Sequence, residues 1–205
     1  MTVQLGLAGR CALVTGSTSP GAPACTQRLR DEGMTVVECD RHDSASLGRA
    51  VEHAREAGAG RLDVLVTHAG AVFEGSIEAT SEAVFRELLE ANLTSLFRVG
   101  RACFGPMRAQ GGGSMIHVSS EAGIRAVHET AAYSVTSAGA IAVAELFAAE
   151  GAPHGIRSNA VCPRAGTDAA SLVVWLASDD SADVSGATLR VDAGAGAAML
   201  VDTRA

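Results

Sequence analysis

Two parts of the sequence hold residues whose types and spacing could do chemistry, and the first is a glycine-containing loop near the start of the chain. The apolar run RCALVT ends at Gly16, the loop GSTSPGAP follows, and ACTQRLRDEG then has helical spacing. A strand, a glycine turn and a helix in this order open a nucleotide-binding βα unit, in which the start of the helix faces a phosphate. The loop therefore predicts a nucleotide site.

The second is His68, which follows the apolar run LDVLV within the segment THAG. An imidazole titrates near neutral pH and can act as a general base at the edge of a crevice. The alternative interpretation is an imidazole that fills the space of an amide and donates to a backbone carbonyl.

Strands and helices alternate along the rest of the chain. Short apolar runs predict strands at MTVVEC, LDVLV, SMIHVSS, IRSNAVC and ATLRVD, and helical periodicity predicts helices between them. This alternation predicts an α/β fold, a three-layer, Rossmann-like, doubly wound parallel sheet whose ligand crevice lies at the carboxyl ends of the strands. The loops after Thr15, Thr67 and Val118 should meet at that edge.

Length and composition limit the classes of function. The 205 residues suit one domain, 1–205, and no apolar run approaches the roughly 18 residues that span a bilayer. A net charge of -7 with dispersed arginines gives no basic stripe for nucleic acid or anionic lipid. The five cysteines lack metal-ligand spacing, and no signal peptide is visible. We therefore expect a soluble cytoplasmic protein with no metal, nucleic acid or membrane partner.

Seven blocks carry a family resemblance: LVTGSTS, LDVLVTHAG, EANLTSLFRV, GGGSMIHVSSEAG, AAYSVTSAGA, APHGIRSNAVCP and WLASDDSADVSGATLRVDAG. In this order they resemble the short-chain dehydrogenase/reductase family, in particular its 3-oxoacyl-carrier-protein reductase and polyketide ketoreductase branches. A lone glycine motif can arise by chance, but seven ordered blocks over nearly the whole chain cannot.

The resemblance implies a catalytic set that is incomplete here. In the family a serine polarises the carbonyl, a tyrosine thirteen residues later carries the proton, and an asparagine anchors a water of the proton relay. Ser120, Tyr133 and Asn92 match these positions, but the family's lysine, one helical turn after the tyrosine, is Ser137. All 16 basic residues of the chain are arginine. An ammonium group lowers the pKa of a neighbouring phenol by about one to three units, and serine cannot replace it.

The phosphate loop departs from the family pattern TGxxxGxG. Gly16 and Ser17 keep its first part, but the later glycines align with Pro20 and Ala22. Proline removes a backbone donor, so the loop would have to use Gly21 in a shifted register. We therefore expect weak dinucleotide binding.

The resemblance also implies that Ala69 and Gly70 line the adenosine side of the crevice. Family members place a helix and an edge strand after the second strand, where this chain has only about twenty residues. We predict six strands, with strand 3 and its helix lost. Asp40 is then either the acid that binds the ribose diol of NAD or the aspartate that normally follows the lost strand.

The segment after Pro163 is shorter than in the family, so a lid over the substrate is missing or comes from a neighbouring subunit. The glycine that usually follows this proline is Arg164. We predict that Glu121 and Arg164 contact a small-molecule substrate. The alternatives are that Arg164 projects its guanidinium into the vacated nicotinamide site, or that it faces solvent. Arg164 or Arg125 could also supply the missing positive charge from a loop.

Three functions are compatible with this pattern. The favoured one is an enzyme without cofactor that performs acid/base chemistry, namely cyclisation, dehydration or isomerisation of a carbonyl compound. The second is a ketoreductase that uses NAD or NADP at an atypical site, and the third is a non-catalytic scaffold or regulatory protein. The family commonly pairs its two long helices, here 82–104 and 132–150, so we expect a homodimer or homotetramer.

Overall fold

A parallel six-stranded sheet forms the centre of the protein. The structure is a computed structural model that describes residues 5–16, 19, 21–39 and 44–197. Its strands are β1 (Cys11–Thr15), β2 (Thr35–Cys39), β3 (Val64–His68), β4 (Gly113–Val118), β5 (Ile156–Pro163) and β6 (Thr188–Val191). They pair in the order β2-β1-β3-β4-β5-β6, every pair parallel. The predicted six-stranded doubly wound sheet is confirmed in this part of the chain.

Helices cover both faces of the sheet: α1 (Ala22–Asp31), α2 (Ser44–Ala57), α3 (Glu82–Leu88), α4 (Ser95–Ala109), α5 (Ala131–Gly151) and α6 (Ala170–Ala177). One apolar core joins α1 and α6 to the sheet, and a second core joins α2, α4 and α5 to it. Strands β1 and β3 are buried at every position. Strands covered on both faces need continuous apolar side chains, which explains the unbroken runs in the sequence.

Strand β2 is the edge of the sheet. Helix α2 follows β2 and leads to β3, which pairs on the other side of β1. The residues described between β2 and β3 contain no further strand, in agreement with the predicted loss of strand 3. Beside the edge, Arg30 Nη2 lies 2.7 Å from Glu38 Oε1.

The predicted helix at 82–104 is not one regular helix. Helix α3 continues into a π-helical turn, Leu89–Thr94, and α4 then extends to Ala109. A π turn holds one residue more than an α turn, which shifts the face that each side chain occupies. The turn buries Asn92, which is 1% exposed. Apolar periodicity does not reveal such a local change.

Helix α5 is apolar on nearly all sides, as the sequence predicts. By length and hydropathy alone, the helical stretch Ala131–His154 could cross a membrane. Buried residues such as Ala140, Ala144 and Phe147 instead lie in the core beneath it, where an apolar composition is expected. Val135 and Leu146 stay 52% and 44% exposed.

His117 lies in β4 at the centre of the second core and is fully buried. Its Nδ1 lies 2.9 Å from Thr67 Oγ1, and its ring stacks on Phe147 with centroids 5.9 Å apart. Burial lowers the pKa of His117 from 6.5 to about 4. The folded protein therefore keeps this imidazole neutral at pH values where an unfolded chain protonates it.

We predict that this histidine makes folding stability depend on pH. Between pH 6.5 and pH 4 the unfolded chain binds a proton that the folded chain does not, so stability is lost as the pH falls, by about 3 kcal/mol in total. Urea denaturation across this range should show a shallower pH dependence for His117→Asn than for the original protein. His128→Asn is the control, because the His128 side chain is 94% exposed and its loss should not alter the slope. Equal slopes for all three proteins would contradict the prediction.

Candidate functional site

Backbone hydrogen bonds extend the sheet at its carboxyl edge, where the loops are predicted to meet. The Ala69 amide donates to the Val118 carbonyl at 2.9 Å, and the Ser119 amide donates to the Val161 carbonyl at 2.8 Å. These bonds tie the starts of the loops after β3 and β4 to the neighbouring strands β4 and β5.

Ser120 lies in the loop after β4 and caps a 3-10 turn, Glu121–Gly123. Its Oγ accepts a hydrogen bond from the Ala122 amide at 3.1 Å. A hydroxyl that accepts in this way still has its own hydrogen to donate. Ser120 is therefore able to donate to a substrate carbonyl, which is the role that the sequence predicts for it.

The turn after Ser120 packs closely on α5. A Cβ on Gly123 would lie 2.6 Å from the carbonyl carbon of Ser137, so no larger residue fits without a shift. Ser119 Oγ donates to the Ser137 carbonyl at 3.0 Å. Both contacts bring the loop of Ser120 against the helix whose first turn contains the half-buried Tyr133.

Ser137 occupies the position of the family's lysine, one helical turn after Tyr133. Its side chain is buried, at 1% exposure, and its Oγ has no hydrogen-bond partner among the described residues. The sequence alone identifies the substitution but not this burial. The position is therefore enclosed, polar and without charge.

The side-chain amide of Asn92 forms hydrogen bonds to the protein through both its oxygen and its nitrogen. Its Oδ1 accepts from the amides of Gly70 and Ala71 at 3.0 and 2.9 Å, and its Nδ2 donates to the Ala71 carbonyl at 2.7 Å and to Thr136 Oγ1 at 3.4 Å. Asn92 thus ties the loop after β3 to α5. Its water-anchoring role stays a prediction and would require one of these bonds to open. Sequence reasoning missed Thr136, although its place three residues after Tyr133 puts it on a neighbouring part of the same helix face.

His68 is the last residue of β3 and is 3% exposed. It pairs with Val118 of β4 in the ladder. Such burial favours the interpretation in which the imidazole fills the space of an amide. A general-base role for His68 stays a prediction.

The described part of the loop after β1 fits the phosphates of a dinucleotide. Gly16 and Gly21 have the positive φ values of 73° and 82°, and Gly21 caps α1. A Cβ on Gly21 would meet nothing within 4 Å, and the buried Ser19 Oγ has no partner in the described residues. A glycine turn, open space and an unpaired hydroxyl at a helix start suit an anion. Ser17 and Asp40 lie outside the described residues.

Ala69 and Gly70, predicted to face the adenosine side, are both partly exposed in the loop after β3. The Pro20 predicted to reshape the phosphate loop also lies outside the described residues, so that prediction stays open. Within β1, Thr15 Oγ1 is buried without a partner among the described residues, close to where the loop begins.

Glu121 and Arg164, predicted to contact substrate, lie together beside Ser120. Arg164 Nε is 3.8 Å from Glu121 Oε1, and Arg125 Nη2 is 3.2 Å from Glu121 Oε2. Arg164 follows Pro163 at the end of β5, and only residues 164–169 separate that strand from α6. The prediction that a lid is missing or comes from a neighbouring subunit stays a prediction.

Comparison with known proteins identifies the family. The family model described as short chain dehydrogenase matches residues 1–171. An uncharacterized oxidoreductase of Thermotoga maritima is 40% identical over 51% of this chain and 41% of its own length. The 3-oxoacyl-(acyl-carrier-protein) reductase MabA of Mycobacterium bovis is 30% identical over 91% of this chain and 93% of its own.

Further comparisons agree with the predicted fold and with the predicted ketoreductase branch of the family. The monensin polyketide synthase ketoacyl reductase of Streptomyces virginiae is 33% identical over 76% of this chain and 60% of its own length. The crystal structure of gox2181 superposes with a TM-score of 0.88 at 28% identity, covering 95% of this chain and 98% of that one. The resemblance to the two reductase branches is confirmed.

The prediction that the chain uses no cofactor is wrong. The matched family model is described as short chain dehydrogenase and the relatives of both branches are named as reductases, a class of enzyme that points to a nicotinamide dinucleotide rather than to none. The loss of one side chain at Ser137 does not outweigh the ordered blocks around it. With its fold and its relatives in agreement, the chain belongs to the short-chain dehydrogenase/reductase family.

Proposed function

We propose that this protein is an NAD(P)-dependent ketoreductase with an altered proton-transfer site. The observation that carries the proposal is the packing of the Ser120 loop on the helix of Tyr133, with Gly123 against Ser137. This packing supports a carbonyl donor and a proton carrier that face one substrate. The comparisons support this function better than cofactor-free acid/base chemistry, because they contain reductases.

The cofactor would lie along the carboxyl edge of the sheet. Gly16, Ser19 and Gly21 would hold its phosphates at the start of α1, and Ala69 and Gly70 would form the wall beside the adenosine. The nicotinamide, when bound, supplies the hydride that reaches the carbonyl carbon. Every other step falls to side chains of this chain.

In the proposed reaction Ser120 donates a hydrogen bond to the substrate carbonyl oxygen and Tyr133 gives that oxygen a proton. The Ala122 amide fixes the Ser120 hydroxyl as an acceptor, which aims its hydrogen away from the turn. A donor oriented before the reaction stabilises developing negative charge without reorganisation. This arrangement supports reduction of a ketone to an alcohol.

The missing lysine sets the expected rate. Without an ammonium beside it, the Tyr133 phenol lacks the neighbour that makes the tyrosine a stronger proton donor in the family. Arg125 and Arg164 already face the Glu121 carboxylate, which offsets part of their charge. We therefore expect a slow enzyme.

We predict that the purified protein binds NADH or NADPH and reduces a 3-oxoacyl thioester slowly. Calorimetric titration with each dinucleotide measures binding, and loss of absorbance at the nicotinamide band measures turnover. Tyr133→Phe should abolish turnover and leave cofactor affinity within about twofold, because the phenol carries the proton rather than the phosphates.

Absence of binding at millimolar dinucleotide would refute this function. If the protein then converted a carbonyl compound without cofactor, and Tyr133→Phe stopped it, acid/base chemistry would replace the proposal. An unchanged amount of pathway product in cells that carry Tyr133→Phe would favour the non-catalytic scaffold or regulatory function.

We also predict that Ser137→Lys raises kcat. The substitution places an ammonium one helical turn from Tyr133, where it lowers the phenol pKa and moves the alkaline limb of the pH profile by about one to three units toward neutral pH. Ser137→Met is the matched control, since it adds similar bulk without charge to a buried position. Circular dichroism confirms that both variants fold. A gain in both variants, or in neither when both are folded, would show that charge at this position is not what limits the rate.

The exposed apolar side chains of α4 and α5 support self-association. Phe97, Val135 and Leu146 are 38%, 52% and 44% exposed. Of the ranges predicted to pair, 82–104 covers α3, the π turn and the first part of α4, and 132–150 lies within α5. Burying such a surface against a second copy removes apolar area from water. The protein is therefore proposed to form a homodimer or homotetramer through these helices.

We predict that light scattering at micromolar concentration gives a dimer or tetramer. Leu146→Glu should shift the mass toward the monomer, because it would bury a charge in the interface. Ala57→Glu, an exposed substitution in α2, should leave the mass unchanged. A monomeric original protein, or a Leu146→Glu variant of unchanged mass, would contradict this interface.

A further inference from the structure

Three charged side chains form a cluster beside Ser120: Arg125, Arg164 and Glu121. We call Arg125 and Arg164 the arginine pair, and Glu121 is the carboxylate that both of them face. Glu121 has a side chain only 17% exposed and faces both guanidinium groups, at 3.2 Å from Arg125 and 3.8 Å from Arg164. The arginine side chains are 49% and 54% exposed. This largely buried carboxylate therefore faces two guanidinium groups, and both arginine side chains stay about half exposed to solvent.

The arginine pair has hydrogen-bond donors to spare. Arg125 bonds Glu121 through Nη2 alone, and the 3.8 Å contact of Arg164 is an ion pair too long for a hydrogen bond. No other side-chain hydrogen bond of either arginine occurs among the described residues. A guanidinium carries five donors in a planar fork that matches a carboxylate. The pair can therefore accept a further anion.

The local charge also favours an anion. Arg125 and Arg164 face Glu121, and Asp192 lies within electrostatic range of Arg125 and pairs with Arg190, so three guanidinium groups face two carboxylates in a chain whose net charge is -7. Asp192, the nearby acid at the end of β6, already accepts from the amides of Gly194 and Gly196 and lies 3.8 Å from Arg190. A positive site of this kind attracts an anionic group of a ligand.

The position of the cluster indicates which ligand it would meet. Glu121 directly follows Ser120, the proposed carbonyl donor, and Arg164 directly follows the last residue of β5, the strand next to β4. The arginine pair thus lies beside the proposed carbonyl donor. Only residues 164–169 separate β5 from α6, and the two arginines stay about half exposed there.

We propose that Arg125 and Arg164 bind the carboxylate of an oxo acid, so that the preferred substrate is a ketone carrying an acid group rather than a neutral ketone. This inference rests on the proposed ketoreductase function. Glu121 acts as a positioning residue that orients both guanidinium groups. A charge-assisted bidentate contact with carboxylate is among the stronger polar contacts in proteins.

The test compares acetoacetate with its neutral methyl ester as substrates at saturating NADPH. We expect kcat/KM to favour the acid, and the double variant Arg125→Ala/Arg164→Ala to lose roughly tenfold or more for the acid with little change for the ester. Arg108→Ala is the control: this exposed arginine lies in the last turn of α4, near the amino end of β4 and away from the carboxyl ends of the strands. Equal losses for acid and ester, or a rise only in the KM for NADPH, would overturn the proposal, the latter by assigning the arginines to the cofactor.

A binding measurement separates this inference from the ketoreductase function. Acetoacetate should raise the melting temperature of the original protein more than the ester at equal ionic strength, and the double variant should lose that difference. Such a result without any turnover would support the anion site and refute the reductase function. Equal shifts for acid and ester in the original protein would overturn the anion site, whether or not the protein reduces ketones.

Discussion

The close approach of Gly123 to Ser137 is the contact on which the candidate site depends. A single methyl group at position 123 would collide with the backbone of α5, so the loop after β4 can rest on the helix only because this residue is glycine. Ser119 adds a hydrogen bond to the same carbonyl. Together they fix how far Ser120 stands from the helix of Tyr133, and the Asn92 bonds fix the neighbouring loop in the same way.

Much of the fold could be predicted from the residues because its strands are buried on both faces. Continuous apolar runs, loops with glycine and seven ordered blocks led to six strands and to the correct family. The π turn around Asn92 could not be predicted, since it changes the helix by one residue without altering its apolar composition. The hydrogen-bond partners of Asn92 depend on that turn and were equally invisible.

The site was predicted less well than the fold, for an electrostatic reason. The sequence shows that Ser137 replaces a lysine, and from this we expected a protein without cofactor. A missing cation weakens one step of proton transfer, but it leaves intact the glycine turn at Gly16 and Gly21 that is proposed to hold the phosphates. The approach of Arg164 to Glu121, which are 43 residues apart in the sequence, depends on the folded loops and could not be predicted from spacing.

The loss of one strand leaves β2 at the edge of the sheet, and no other strand of the described residues pairs with its outer side. The backbone donors and acceptors on that side form a surface on which another β-strand could add. Its apolar residues Val36 and Val37 are only half covered, which increases this risk. The ion pair of Arg30 with Glu38 places charge along the border. A second molecule that paired with β2 would have to bury that charge, which opposes edge-to-edge aggregation of the shortened sheet.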